Sequence, residues 1–191
     1  DPGWTPNTTD AGTKRYRFGN QGRIGEWNFA RLLESMGPLM SDPEGLYEAL
    51  DYYRESYQAH DRNVWASKLG LGELRPEDDE LISELVSNLE MVETDMTILF
   101  RSLSNLSSPD VSQIEFAFYD PETIPAQEWG QWLSEWWQRV DGQPDLEAMR
   151  LANPKYVLRN WMAQLAIDAA EKGDYSVANE LHEMLKAPYE E

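Results

Sequence analysis

The chain has 191 residues, 41% hydrophobic and 12% aromatic, and contains no cysteine. Such a length fits one domain, or the larger part of one, able to bury roughly 70% of its unfolded surface without a metal or disulfide staple. A disulfide scaffold, a thiol nucleophile and cysteine-type zinc sites are excluded, and the apolar runs are too short to span a bilayer.

The net charge of −19 is unevenly placed. Residues 1–40 carry five Lys or Arg against four Asp or Glu, whereas residues 41–191 carry eleven basic against thirty-one acidic side chains. An acidic body repels phosphate backbones, which argues against nucleic acid as a partner; charge of this kind serves solubility first. Without a starting Met or a signal peptide, Asp1-Pro-Gly-Trp reads as an internal point of a longer polypeptide.

Residues 1–23 are dense in Gly, Pro, Thr, Asn and Asp, a composition of turns, yet Trp4, Tyr16 and Phe18 are large groups that seek burial. The prediction is an ordered loop packed on a helical body, residues 24–191. Ile24, Trp27, Phe29, Leu32, Leu33 and Met36 form a helical stripe that Gly37-Pro38 stops. Ser41 or Asp42 caps the next helix, with Pro43 at its first position, and Leu46, Leu50, Tyr53, Tyr57, Val64 and Trp65 carry it to about Leu69. Gly70-Leu-Gly72 lacks the continuation of a phosphate-binding loop and reads as a helix stop.

Pro76 opens a third helix with Glu77-Asp-Asp-Glu80 in its first turn, where the helix dipole favours negative charge. Asp95 caps a fourth. Between 104 and 124 the alternation of Ile114, Phe116 and Phe118 suits a short strand, and one more helical turn fits nearly as well. Pro125 starts a helix bearing Trp129, Trp132, Trp136 and Trp137; spacings of three and four favour a core stripe over a ligand-stacking platform. A short helix over 145–151 follows. Asn153-Pro154 then has the grammar of an N-cap and first helical position for one long buried helix, with Tyr156, Val157, Trp161, Leu165 and Ile167 on its apolar face and Gly173 at its end. The last helix spans about 175–186. The fold expected is mainly α, about eight helices with an irregular N-terminal loop segment.

Few residues suggest chemistry. His60 and His182 have no partners at metal-ligand spacing, and no Ser sits in a nucleophile elbow. No catalytic, cofactor-binding or metal-binding residue is assigned. The best local candidate is the basic segment Lys14-Arg-Tyr-Arg17 with Arg23 and Arg31. Arginine suits bidentate recognition of phosphate, as on ATP, or of carboxylate; the alternative is that these arginines pin the loop to the acidic body.

The helix at 153–174, the opening Asp1-Pro-Gly-Trp-Thr-Pro-Asn7, and Arg15-Tyr-Arg-Phe-Gly-Asn-Gln21 with Ile24-Gly-Glu-Trp-Asn-Phe-Ala-Arg-Leu32 closely resemble the selenoprotein O (SelO) family. The resemblance covers essentially the whole chain. Gly22 departs from it, since similar proteins usually show Pro there. The resemblance implies the helical C-terminal part of a protein-kinase-like fold that uses ATP and Mg²⁺ or Mn²⁺ to move AMP onto Ser, Thr or Tyr hydroxyls of proteins. It also implies that the nucleotide-binding, metal-binding and catalytic residues lie upstream, so that this chain is inactive alone and partners the N-terminal part of the same polypeptide. The compartment implied is the cytoplasm in bacteria and mitochondria in eukaryotes; neither nucleic acid nor membrane is an expected partner. The loop's own composition makes residues 4–23 the expected protein-substrate face, with Asn7, Arg15, Tyr16 and Arg17 its candidate residues. The competing expectation is an autonomous acidic helical module that binds proteins without catalysis.

Overall fold

The computed structural model describes residues 3–5, 8–10, 12–40 and 44–190. Eight α-helices occur among them: α1 Gln21–Met36, α2 Glu44–Leu69, α3 Asp78–Met91, α4 Met96–Leu103, α5 Ala126–Arg139, α6 Leu146–Ala152, α7 Asn160–Ala170 and α8 Ser176–Lys186. No strand is present among the described residues; an isolated antiparallel bridge joins Thr94 and Phe118. The mainly-α expectation holds. Ser41, Asp42 and Pro43, expected to open α2, lie outside the described residues. The chain forms two compact units, Asp1–Arg62 and Asn63–Glu191, which divide within α2.

In the first unit, α1 buries Ile24 and Leu33. Phe29 stacks on Tyr53 at 5.1 Å between ring centroids, and Tyr53 on Tyr57 at 6.3 Å. Two glycines let these rings approach α1. A Cβ on Gly25 would stand 2.7 Å from the Tyr53 hydroxyl, and one on Gly22 would collide with the Tyr57 ring. At Gly22 the missing side chain thus makes room for an aromatic neighbour.

The second unit is organised by the tryptophans of α5. Trp129, Trp132 and Trp136 are fully buried, and the periodic stripe is core. Trp132 and Trp136 lie parallel at 6.0 Å, while Phe118 meets Trp129 edge-on at 5.5 Å. The indole N–H groups of Trp132 and Trp136 donate to the carbonyls of Leu81 and Leu69 at 2.8 and 2.9 Å, so α5 is tied to α3 and to the end of α2 by polar as well as apolar contacts. A buried tryptophan hides ~150–250 Å², worth on the order of 4–6 kcal/mol at ~25 cal/mol per Å² as an upper estimate.

Helix ends follow the sequence in most places. Gly70, Gly72, Gly142 and Gly173 all adopt positive φ, at or just beyond the ends of α2, α5 and α7. Asp95 caps α4 by accepting from the Ile98 amide at 3.0 Å. Segment 111–117 resolves the strand-or-turn alternative as a 3-10 helix. Its three-residue period turns Ile114 and Ala117 inward and leaves Phe116 82% exposed.

The signature helix is a correction. It starts at Asn160, not at Asn153. The amides of Lys155 and Tyr156, which a helix start there would place in the first turn, instead donate to the Pro188 carbonyl at 2.8 and 3.1 Å. Asn153 closes α6 and points inward. Nor is the helix buried: Trp161, Leu165 and Ile167 are all more than half exposed.

Asp78 is buried at the start of α3 and meets Arg139 in a fork, Nε to Oδ1 at 2.6 Å and Nη2 to Oδ2 at 2.9 Å. It also accepts from the Arg75 amide at 2.7 Å. Burial pushes its carboxyl up, but the Arg139 hydrogen bonds, the Arg75 amide and the two positive charges outweigh that and hold it below the usual carboxylate range. A depressed folded value means that the stabilisation is present above the unfolded value, about pH 4, and is lost as pH falls through the folded one. The wild-type melting temperature is therefore expected to fall on acidification below about pH 4 more steeply than that of Asp78→Asn, measured by circular dichroism; parallel curves would contradict the assignment.

Candidate functional site

The described residues before α1 are held together by their own polar groups. Phe18 N–H donates to the Trp4 carbonyl and Lys14 N–H to the Asp10 carbonyl, each at 2.8 Å. Lys14 takes a left-handed conformation at φ 48°, which tightens the turn. The Asp10 carboxylate accepts from the Thr13 hydroxyl and from the Tyr16 amide, at 2.8 Å for the latter. The Thr13 bond first and the Tyr16 amide second hold its carboxyl below the ordinary value. Side chains at the entry to α1 fasten the other side: Asn20 donates to the Arg15 carbonyl, and Gln21 to those of Tyr16 and Arg17 at 2.8 and 3.1 Å.

This scaffold presents Arg15 and Tyr16 together. The Arg15 guanidinium lies 3.8 Å above the centre of the Trp27 ring and 5.9 Å from that of Tyr16. Arg31 approaches the same indole at 5.5 Å. Arg17 turns back instead, donating to the Lys14 carbonyl at 3.3 Å. Asn7 lies outside the described residues. Arg31 was singled out with the basic segment, whereas Trp27 was read only as part of the apolar stripe of the first helix. The spacing Arg23, Trp27, Arg31, four residues apart each time, was the available signal.

The second unit has a separate open cleft of about 640 Å³, lined by Ile98, Tyr119, Tyr156, Trp161 and Met184 among others. Its polar centre is a bidentate pair, Arg159 to Asp95 at 2.8 and 2.9 Å. For Asp95, burial is the largest influence and acts upward, but the Arg159 hydrogen bond and the Ile98 amide prevail and lower its carboxyl. Asp95 was legible as a helix cap; its partner 64 residues on was not.

No group of three or more His, Asp or Glu among the described residues is arranged to hold a metal ion. No helix among them is long and apolar enough to cross a membrane.

A family model described as protein adenylyltransferase SelO matches residues 1–186. The chain belongs to the SelO family. Among its curated relatives, the protein nucleotidyltransferase YdiU of Flavobacterium johnsoniae is 43% identical over 204 residues. Those of Xanthomonas oryzae pv. oryzae (strain MAFF 311018) and Xanthomonas campestris pv. campestris (strain B100) are each 46% identical, over 202 and 200 residues. In all three cases the whole chain is covered but only 39% of the relative. This SelO-family chain thus spans about two fifths of the length of the curated relatives it matches.

The cleft pair allows a graded test. Asp95 both caps α4 and holds Arg159, whereas Arg159 is a third exposed. Arg159→Ala is expected to cost under about 1 kcal/mol, and Asp95→Ala at least about 1 kcal/mol more, in urea unfolding. Equal losses would show that the cap contributes nothing.

Proposed function

We propose that this chain is the helical C-terminal part of a SelO-type protein adenylyltransferase, which transfers AMP from ATP to Ser, Thr or Tyr hydroxyls of proteins. Such a transfer joins the hydroxyl oxygen to the α-phosphorus and releases pyrophosphate. The observation that carries the reading is the family match over residues 1–186, supported by relatives named protein nucleotidyltransferase. The groups that bind ATP and Mg²⁺ or Mn²⁺ are placed in the remainder of the polypeptide, within a kinase-like fold, and this chain is inactive without them. In a bacterial cell the reaction belongs to the cytoplasm.

The role left to this chain is positioning. Nucleotidyl transfer depends on holding the reactants in place and on charge stabilisation, and a helical base can supply the first. Residues 4–23 are the proposed protein-substrate face. What supports this is a loop fixed by Asp10, Asn20 and Gln21 that presents Arg15 and Tyr16 beside Trp27.

The test is reconstitution. This chain is co-expressed with the preceding part of its polypeptide and supplied with Mg²⁺ or Mn²⁺ and ATP labelled at the α-phosphate. Label is expected on protein only when both parts are present. Joint replacement of Asn7, Arg15, Tyr16 and Arg17 by Ala is expected to lower transfer about ten-fold or more with the fold intact, the size of effect that substrate misplacement produces. A soluble folded complex without transfer would instead favour an acidic helical binding module.

A further inference from the structure

We infer that the face formed by Arg15, Arg23, Trp27 and Arg31 in the unit Asp1–Arg62 docks an acidic, aromatic-containing segment of a protein substrate. This rests on the adenylyltransferase reading and names the kind of substrate that the loop accepts. Arg23, Trp27 and Arg31 stand at i, i+4 and i+8 of α1 and so share one face of the helix. Arg15 joins them from the loop by stacking on Trp27. A guanidinium lying over an aromatic ring keeps N–H donors at its edge, the groups that take a carboxylate bidentately. Trp27, Tyr16 and Phe18 are 43%, 40% and 56% exposed, which sets apolar rings beside the charges. Aromatic and arginine side chains together are the commonest anchors of protein interfaces.

Charge complementarity selects the occupant. From residue 14 to residue 31 the chain carries Lys14, Arg15, Arg17, Arg23 and Arg31 against Glu26 alone. Glu26 is held by Arg54 of α2 at 2.8 Å, and Asp10, which accepts from Thr13 and the Tyr16 amide, offsets part of the Arg15 charge. Arg31 is paired with Glu34 on the exposed helix surface, a contact that a competing carboxylate can exchange at little cost. The rest of the chain is strongly acidic, so a polyanion is repelled elsewhere and this is where an anionic segment can settle. A peptide suits the face better than a nucleic acid does. The separated guanidinium edges match single carboxylates, the open rings match apolar side chains, and the acceptor in the proposed reaction is itself a protein.

The probe is a fluorescein-labelled random copolymer of glutamate and tyrosine, titrated with the 191-residue chain and followed by anisotropy. Saturable binding that weakens with added salt is expected. Arg15→Ala and Arg23→Glu are each expected to weaken it roughly ten-fold, the effect of losing or reversing a charged partner at an interface. Arg23 sits in the first turn of α1, where a glutamate favours the helix dipole, so that variant is expected to keep its far-ultraviolet circular dichroism. No saturable binding would overturn the inference. So would unchanged affinity in both variants with native dichroism, or tighter binding of a single-stranded oligonucleotide that the same substitutions abolish. AMP transfer in the reconstituted protein without copolymer binding would sink this inference alone, whereas binding without transfer would sink only the enzymatic reading.

Discussion

The second unit turns on one buried asparagine. Asn153 is fully buried, and its amide is satisfied on both sides. Its Oδ1 accepts from Lys68 Nζ, and its Nδ2 donates to the Lys68 carbonyl, both at 2.9 Å, with a longer contact to Ser104 Oγ at 3.4 Å. Its backbone carbonyl accepts from Arg101 at 3.2 Å, and Arg101 also reaches the Arg150 carbonyl at 3.1 Å. The C-terminal ends of α2, α4 and α6 therefore meet on a single side chain. Helix ends carry unsatisfied carbonyls, and burying three of them together is tolerable only when donors are supplied from inside. Lys68 adds its own constraint: burial pushes its ammonium below the usual lysine value, while the Asn153 oxygen and the Phe100 ring, 4.3 Å away, receive its charge.

That hub explains where local reading succeeded and where it failed. Asn153-Pro154 has every local mark of a helix start, yet the asparagine spends its side chain on Lys68, 85 residues earlier. No periodicity or capping rule contains that information. The tryptophan stripe of α5 was legible because its partners lie along its own helical face at spacings of three and four. The positive-φ glycines were legible because the signal and its effect share one residue. At the candidate site, the basic loop stood out by composition, but the stacking of Arg15 on Trp27 links loop to helix and is visible only once both are folded. Arg17, an equal candidate on paper, is drawn back to the Lys14 carbonyl.

The two units differ in kind. The Asn63–Glu191 unit has a continuous apolar core and a buried ion pair, Asp78 with Arg139. The Asp1–Arg62 unit buries Ile24 and Leu33, and displays arginines and aromatic rings on its first helix and loop. The chain belongs to the SelO family and spans 39% of the length of its relative from Flavobacterium johnsoniae.

Urea unfolding of Asn153→Ala and Asn153→Leu, followed by tryptophan fluorescence, tests the hub most directly. Either change strips partners from the Lys68 carbonyl and from the half-buried Lys68 ammonium, and leaving buried polar groups unpaired costs about 1–3 kcal/mol each. Both variants are expected to lose at least about 2 kcal/mol, leucine no less than alanine, because the deficit is polar and apolar volume does not restore it. A leucine variant as stable as the wild type would show that Asn153 merely fills space, and that the helix ends are held by something else.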